Sequence, residues 1–297
     1  MKVFVTGASG HIGQALVPEL LAGGHRVAGL ARSDAAADAL DGMGAEAVRG
    51  TLSDLDTIRE GAAAADGVIH LAFIHDFADF AGAVDTDRRA IDAIGSALAG
   101  TDRPLIAAAT LPAVPGRAAT EADDGDTANG LDGRAANARA VLELAGQGVR
   151  SAIVRLPHTV HAAGGRGGFA GSLFRIARRA GVSGYVADGS ARWPAVHVDD
   201  TARLFRIALE TAPAAHVLHA VGEEGVTIID TATAIGRELN VPVRAVDPDA
   251  LGFLGRLAAI DKPASSILTR QRFGWTPTGP GLLEDLNPSR WSQPAES

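Results

Sequence analysis

The first half of the chain alternates between short apolar runs and longer stretches in which apolar residues recur at helical spacing. The runs are rich in β-branched side chains and bounded by turn residues, which is typical of buried strands. The predicted strands read KVFVT (2–6), HRVAGLAR (25–32), AEAVRGTL (45–52), DGVIHLAF (66–73), RPLIAAAT (103–110) and SAIVRLP (151–157).

Between these runs lie segments with the periodicity of amphipathic helices. They cover residues 13–24, 54–65, about 86–99 and about 135–145. The second segment begins at Asp54, a residue type favoured as an N-cap. Strands and helices that alternate this regularly predict a doubly wound α/β fold, in which helices cover both faces of a parallel Rossmann sheet.

After Pro157 the alternation loosens. Residues 158–169 are glycine-rich and predict a loop, in which 164–168 form either a mobile cover or a plain flexible segment. The later predicted elements are a helix at 170–181, a strand and helix within 195–210, a strand at 216–222 and a helix at 227–240. We expect a dinucleotide-binding domain over 1–157 that takes back 190–222, and a substrate-binding lobe over 158–189 and 223–297.

Composition narrows the classes of function. The 297 residues carry a formal net charge of −8, which argues against a nucleic-acid or anionic-membrane surface because both need a basic face. There is no cysteine, so neither a disulfide framework nor a thiolate metal site is expected. The first residues lack the apolar core of a signal peptide, and no run approaches the roughly 20 apolar residues of a membrane span. A cytoplasmic protein is therefore expected.

The sequence TGASGHIG between the first strand and the first helix carries three regularly spaced glycines. Gly7 permits a tight turn, Gly10 lets the backbone approach a phosphate, and Gly13 lets the helix pack closely against the strand. The helix N-terminus that follows favours negative charge, so we expect a dinucleotide pyrophosphate here. The residues assigned to it are Gly7, Ala8, Ser9, Gly10, His11, Ile12 and Gly13.

Three motifs together carry a family resemblance. The glycine turn, DGVIHLA (66–72) and AVHVDD (195–200) resemble the extended or atypical short-chain dehydrogenase/reductases, which include NAD(P)-dependent epimerases and dehydratases. The resemblance implies a Rossmann sheet with a C-terminal substrate lobe, and a segment after Pro157 that covers the nicotinamide. It implies further cofactor contacts from Leu52, Leu71, Ala72, Phe73 and Pro157.

The end of the second strand bears on the choice of cofactor. NAD sites usually place a carboxylate there, where it binds the ribose hydroxyls and would repel a 2′-phosphate. This chain has Arg32 and Ser33 instead, and the nearest acid, Asp34, comes one residue later. A guanidinium and a hydroxyl suit a phosphate, so NADP(H) is expected. The alternative is that Arg32 is solvated and Asp34 reaches a ribose.

The tyrosine and lysine that act in the resembled family are missing. In that family a YxxxK pair handles the substrate proton. Aligned by the strand that follows, the pair falls at Arg134 and Ala138, or one residue later at Ala135 and Arg139. The single tyrosine and the two lysines of this chain are not spaced to form the motif anywhere.

Two other side chains lie near the vacated positions. The family's neighbouring serine or threonine corresponds to Thr110, which is a candidate catalytic residue and alternatively only ends its strand. Arg134 could stabilise an alkoxide or phenolate if it points inward, but it is too weak an acid to give up a proton. The alternative for Arg134 is a solvated helix face.

The loss of the pair leaves two classes of function. One is an NADPH-dependent ketoreductase, in which alignment of nicotinamide and ketone supplies much of the rate, and the proton comes from water, a nearby histidine or the substrate's own phenol. The chain resembles family members that tailor aromatic polyketides, which implies an aromatic ketone substrate, with an angucyclinone as one candidate. The other class is a redox-sensing regulator that binds NADP(H) without catalysis. A nucleotide-sugar epimerase or dehydratase is a lesser alternative, because it needs an efficient base.

Candidate substrate contacts follow Pro157 and surround residue 193. Flat rings there could stack on a polycyclic ketone, although each could equally belong to the core of the lobe. The candidates are His158, His161, Phe169, Trp193 and His197. The two histidines at 158 and 161 have no obvious third ligand, so no metal site is expected. Both a monomer and a homodimer are compatible with the sequence.

Overall fold

A computed structural model describes residues 1–76, 79–124, 133–163 and 167–287 of the protein. The strands are β1 (Lys2–Thr6), β2 (Arg26–Ala31), β3 (Glu46–Arg49), β4 (Gly67–His70), β5 (Pro104–Thr110), β6 (Arg150–Leu156), β7 (Thr159–His161), β8 (Ser183–Tyr185), β9 (Arg192–His197), β10 (His216–His219), β11 (Glu223–Thr227) and β12 (Val243–Ala245). Seven of them form one parallel sheet in the order β10-β6-β5-β4-β1-β2-β3. The predicted α/β class with a parallel Rossmann-type sheet is confirmed.

Helices cover both faces of this sheet. The helices of the described residues, including those of the smaller core, are α1 (His11–Ala22), α2 (Asp34–Gly42), α3 (Leu55–Ala63), α4 (Phe80–Leu98), α5 (Gly133–Glu143), α6 (Gly168–Ala180), α7 (Val198–Thr211), α8 (Ile228–Leu239), α9 (Phe253–Ala258), α10 (Ile267–Phe273) and α11 (Leu282–Asp285). Short 3₁₀ helices follow at Leu144–Gln147 and Pro248–Leu251. In the described part of the chain, no helix combines the length and the apolar character needed to cross a bilayer.

Alternate residues of β1 point to two separate cores, as the two-residue period of a strand requires. Val3 and Val5 pack with α1 and α7 on one face, whereas Phe4 packs with α3 and α4 on the other. Because both faces are buried, the central strands read as continuous apolar runs.

A smaller core lies outside the main sheet. The strands β11, β9 and β7 form a three-stranded sheet, and β12 pairs with β8. Apolar side chains of α6, α8 and α11 pack with them around Trp193, which is 4% exposed. The division of the chain into two domains at the expected boundaries stays a prediction.

Several local predictions differ from the structure. Residues 158–169 are not one loop, because β7 and the start of α6 fall within them, while residues 164–166 lie outside the described residues. The carboxylate of Asp54 does not cap α3; it accepts hydrogen bonds from the backbone nitrogen and hydroxyl of Thr51, at 2.7 and 2.8 Å. The strand predicted at 216–222 is present as a sheet strand but is shorter, because β10 ends at His219, at the edge of the main sheet beside β6.

Candidate active site

The glycine turn lies at the carboxyl edge of the sheet, directly after β1. Gly7 has a φ of +72°, and a Cβ there would lie 2.8 Å from the backbone nitrogen of Ala72. A Cβ at Gly13 would lie 2.3 Å from the carbonyl oxygen of Ala8. Only glycine fits these two positions, so the backbone itself forms the cradle in front of the α1 N-terminus. This arrangement fits the pyrophosphate of a dinucleotide.

His11, the first residue of α1, links the turn to the smaller sheet. Its Nε2 donates to the carbonyl oxygen of Val160 in β7, at 3.0 Å. The bond brings the segment after Pro157 alongside the pyrophosphate cradle. Whether this segment also covers the nicotinamide stays a prediction.

Two charged side chains, Arg32 and Asp34, follow the end of β2. Arg32 is exposed and makes no hydrogen bond or ion pair with other described residues. Ser33 caps α2, its hydroxyl oxygen accepting from the backbone nitrogen of Ala36 at 3.2 Å. The carboxylate of Asp34 is bound by the guanidinium of Arg49, at the end of β3. Pairing with Arg49 neutralises the nearest acid, a contact that sequence analysis missed.

The residues after β4 lie against the glycine turn. Leu71 donates its backbone N–H to the carbonyl oxygen of Thr6 at 3.2 Å, and Ala72 donates to the Thr6 hydroxyl at 3.3 Å. His70 Nδ1 lies 2.8 Å from the same hydroxyl, and the His70 side chain is 3% exposed. Leu71 and Ala72 thus lie beside the turn, their contact with a cofactor stays a prediction, and His70 is a packed residue beneath them.

A buried polar network joins β4 to α4 and α5. His70 Nε2 donates to Asp87 at 3.1 Å, and Asn137 Nδ2 donates to the other Asp87 oxygen at 2.7 Å. Burial alone would raise the pKa of Asp87, but the bonds from His70 and Asn137 and the charges of His70 and Arg134 lower it. The carboxylate therefore stays ionised beneath the site and fixes the three elements relative to one another.

Arg134, one of the two residues expected at the vacated tyrosine position, lies on the first turn of α5. Its guanidinium carbon lies 4.1 Å from the centre of the Phe73 ring, in a cation–π contact. Burial lowers the pKa of Arg134, and the charge of Asp87 opposes that shift. The side chain is half-buried, so the alternative of a fully solvated helix face is wrong for Arg134, whereas Arg139 is exposed.

Thr110 and His158 lie at the carboxyl ends of the neighbouring strands β5 and β6. Thr110 is the exposed last residue of β5, in register with Leu156 at the end of β6. Pro157 is buried and His158 follows it. Both candidates thus lie where parallel strands end, the usual place for ligands in such sheets.

The rings of three predicted substrate contacts form one aromatic cluster. His158 stacks on Phe169 with ring centres 4.9 Å apart, and both lie within 6 Å of the Trp193 ring, at 5.6 and 5.9 Å. Trp193 is buried in the lobe core, which favours its structural alternative, whereas His158 and Phe169 are only half-buried.

Lys262 completes this cluster and was missed by sequence analysis. Its Nζ lies 2.8 Å from His158 Nε2. Burial lowers the pKa of Lys262 to about 8, and burial together with the lysine charge lowers the pKa of His158 to about 3. The only signal in the sequence was the rarity of lysine, since Lys262 is one of two.

The remaining two histidine candidates lie apart from this cluster. His161 is buried, and its Nδ1 donates to Asp285 of α11 at 2.7 Å. His197 caps α7, and its Nε2 lies 3.7 Å from the same carboxylate. They tie α11 to the smaller sheet. Within the described ranges, no three His, Asp or Glu side chains are grouped to hold a metal ion.

Comparison with known proteins agrees with this geometry. The sequence profile of the NAD dependent epimerase/dehydratase family matches residues 3–92. An uncharacterised protein of Schizosaccharomyces pombe is 43% identical over 290 residues, which is 96% of this chain and 98% of its own. An uncharacterised protein of Saccharomyces cerevisiae is 44% identical over 293 residues, with the same coverage of 96% and 98%.

One further protein is similar in sequence over a short segment, and a solved structure is similar in fold. A 4-hydroxy-2-methyl-3-oxo-4-farnesyl-3,4-dihydroquinoline-1-oxide ketoreductase of Stigmatella aurantiaca is 42% identical over 72 residues, 24% of this chain and 22% of its own. The crystal structure of a UDP-glucose 4-epimerase of Thermotoga maritima superposes with a TM-score of 0.80 at 16% identity, over 98% of both chains. The chain belongs to one family with the two uncharacterised yeast proteins, and its residues 3–92 match the NAD dependent epimerase/dehydratase family.

Proposed function

We propose that the protein is an NADPH-dependent ketoreductase that reduces a carbonyl group of an aromatic, polyketide-like ketone without a tyrosine–lysine pair. The observation that carries the proposal is the contact of Arg134 with Phe73, beside the dinucleotide cradle. Arg134 is one of the residues expected at the position of the family's tyrosine, and it lies against an aromatic ring instead of a lysine partner. This environment suits a flat, electron-rich substrate better than an unactivated sugar hydroxyl.

The side chains around the end of β2 support NADPH over NADH. The Arg32 guanidinium is exposed and unpaired among the described residues, and the Ser33 hydroxyl is beside it. The carboxylate of Asp34, which could otherwise repel a 2′-phosphate, is held by Arg49. An unpaired guanidinium beside a hydroxyl favours a phosphate ester over a free ribose hydroxyl.

Three rings beyond the cradle support an aromatic substrate. Phe73 carries the Arg134 cation on its face, and His158 and Phe169 are stacked and half-buried. Ring faces of this kind bind flat polycyclic ligands by stacking. The partial similarity to a ketoreductase that acts on a dihydroquinoline oxide is consistent with such a ketone.

The chain's own residues would bind, orient and shield the reactants. Bound NADPH supplies the hydride and both of its electrons. The cradle from Gly7 to Gly13 would hold the pyrophosphate, and the segment after Pro157 would exclude water from the nicotinamide. Alignment of this kind supplies about 7–11 kcal/mol of the barrier reduction in favourable cases. A phenol next to the ketone would hydrogen-bond to the carbonyl oxygen and stabilise the developing negative charge.

An epimerase or dehydratase is the second candidate, favoured by the family and by the shared fold. Such a reaction needs a base that removes the proton of a sugar hydroxyl. Arg134 is a poor base because a guanidinium offers no free acceptor. The described residues around it therefore argue against this candidate.

The proposal is tested by incubating the protein with NADPH and a panel of hydroxylated polycyclic ketones. We expect NADPH oxidation that matches the amount of alcohol formed, as measured by absorbance and mass spectrometry. Tight NADPH binding without oxidation by any ketone would favour the regulator. Conversion of UDP-glucose into its C4 epimer in the presence of NAD would favour the epimerase.

A further inference from the structure

We propose that Lys262 donates the proton that completes ketone reduction, in place of the missing tyrosine. The inference rests on the proposed function and names the acid that this function lacks. It is carried by the contact between the Lys262 amine and His158, beside the aromatic cluster at the carboxyl edge of the sheet.

Backbone contacts fix the position of Lys262 at the corner where the substrate would lie. Its own N–H donates to the carbonyl oxygen of Arg192 in β9, at 3.0 Å. The next residues are bound to the segment that follows β5, because Ala119 donates to Pro263 at 2.9 Å and accepts from Ser265 at 2.7 Å. The lysine is therefore held between the start of β9 and the chain that leaves Thr110.

His158 holds the lysine side chain from the end of β6. Since an ammonium group can only donate, His158 Nε2 must accept, and the neutral imidazole then carries its proton on Nδ1. Stacking on Phe169 fixes the plane of this ring. His158 takes one of the three N–H bonds of Lys262, and the two others have no partner among the described residues, so they could reach a substrate oxygen.

The carboxylates on the segments next to Lys262 are hydrogen-bonded to other residues. The neighbouring carboxylate of Asp261 binds the Arg192 guanidinium at 2.8 and 3.0 Å. On the segment after β5, Arg117 binds Asp123 and Glu121 accepts two hydrogen bonds from Thr269. None of these carboxylates is bonded to the lysine in the described residues. Burial lowers the pKa of Lys262 to about 8.

This environment makes the amine a usable acid near neutral pH. At pH 7 about nine-tenths of such a group is protonated, yet it gives up its proton far more readily than an ordinary lysine. His158 cannot take this role, because its pKa of about 3 keeps it neutral. Thr110 and Arg134 are both much weaker acids.

Reduction of the ketone requires one hydride and one proton. The carbonyl carbon accepts a hydride with both electrons from NADPH, which becomes NADP⁺, and the C=O π pair moves onto oxygen. One N–H bond of Lys262 breaks as the O–H bond of the alcohol forms. The neutral amine regains a proton from water before the next turnover.

The first test compares wild type with Lys262→Met and with Lys2→Met, which makes the same change at the other lysine. Lys2 pairs with Glu46 at the amino end of β1, away from the site. We expect kcat to fall by about 100-fold or more in Lys262→Met, with little change in KM for NADPH, and to be unaffected in Lys2→Met. Lys262→Arg should keep the charge but not the turnover, because an arginine does not release its proton.

The pH profile separates proton donation from a structural role. Wild-type kcat should be constant below pH 8 and should fall as the pH rises through about 8, because the acid form is then lost. The residual rate of Lys262→Met should lack this decline. If Lys262→Met keeps more than a third of wild-type kcat and the same alkaline decline, the inference is overturned while the ketoreductase assignment stands.

A second readout does not depend on turnover. Protein labelled with ¹³C at lysine Cε should give two lysine resonances, and Lys2→Arg identifies the signal of Lys262. We expect this signal to titrate near pH 8 and to shift when NADP⁺ and the alcohol product are added together. A Lys262 signal that does not respond to the ligands would overturn the inference. If wild type reduces no ketone at all, the proposed function fails and this inference fails with it.

Discussion

At the scale of single residues, the proposed preference for NADPH depends on Arg32. Replacing it with alanine removes the exposed guanidinium that would bind the 2′-phosphate, so Arg32→Ala should raise KM for NADPH at least about 10-fold and leave KM for NADH nearly unchanged. The matched control is Arg26→Ala, an exposed arginine at the opposite end of β2. Equal effects of Arg32→Ala on the two cofactors would contradict the phosphate role.

Thr110 is the second residue whose role can be decided by one substitution. Its hydroxyl is exposed at the end of β5, and valine has nearly the same shape. We expect Thr110→Val to keep appreciable ketone turnover, because proton donation lies elsewhere in this account. Steady-state kinetics measures this directly, and a near-total loss of kcat would show that the threonine hydroxyl replaces the missing tyrosine.

The sequence could name the residues whose roles depend on local backbone, but not those that depend on long-range contacts. Gly7, Gly13 and Arg32 were identified because a strand, a turn and a helix fix their positions within a few residues. Lys262 meets His158 across 104 residues of sequence. No local pattern encodes that contact or the burial that perturbs the amine.

At the scale of elements, the glycine turn joins β1 to α1 only because Gly13 has no side chain. An alanine Cβ would lie 2.3 and 2.4 Å from two carbonyl oxygens, so the helix would have to move. Gly13→Ala should therefore abolish NADPH binding and lower the free energy of unfolding by about 1–3 kcal/mol. Calorimetric binding and denaturant unfolding measure the two effects.

Gly42→Ala is the control for that substitution. Gly42 ends α2, and a Cβ there meets nothing within 4 Å. The change should leave NADPH binding intact and raise the free energy of unfolding by up to about 1 kcal/mol. Normal cofactor binding by Gly13→Ala would contradict the close packing described for the turn.

The network around Asp87 holds β4, α4 and α5 together. Asp87→Ala leaves the buried donors of His70 and Asn137 without their acceptor, which should lower the free energy of unfolding by about 3 kcal/mol. The control on the same helix is Asp85→Ala, which removes an exposed pair with Arg89 and should cost under about 1 kcal/mol. Equal losses in the two variants would mean that the buried network contributes little.

The pKa of Asp87 gives this prediction a pH dependence. Because the folded-state pKa of Asp87 is lowered, its contribution is present above the ordinary value of 3.8 and is lost as the pH falls through the folded value. Wild type should therefore lose more stability on acidification below about pH 4 than Asp87→Ala does. Parallel acid denaturation curves for the two proteins would contradict this assignment.

Strands and helices could be predicted where the apolar residues follow a single clear pattern along the segment. Buried strands such as β1 and β6 read as continuous apolar runs, and α8 was identified by its spacing. The short strand β7 was missed, because three residues give no period and the glycines beside it suggested a loop. Its strand conformation comes from pairing with β9, a long-range contact.

At the scale of the whole molecule, the lobe and the sheet meet at the carboxyl edge. His11 joins the cradle to β7, and the chain from Lys262 to Ser266 is bound both to β9 and to the segment after β5. The strand order β10-β6-β5-β4-β1-β2-β3 places the ends of β4, β5 and β6 side by side beneath them. This assembly brings residues of distant sequence positions to one site, which a reading of the sequence alone could not do.

Ketone reduction by NADPH is tested directly by following a labelled hydride from the cofactor to the ketone. The protein would be incubated with a hydroxylated polycyclic ketone and NADPH that carries deuterium at the transferable position of the nicotinamide. We predict an alcohol with one deuterium on its carbinol carbon, detected by mass spectrometry, and an equal amount of NADP⁺. An alcohol without deuterium, or NADPH that binds and is never oxidised by any ketone, would contradict it.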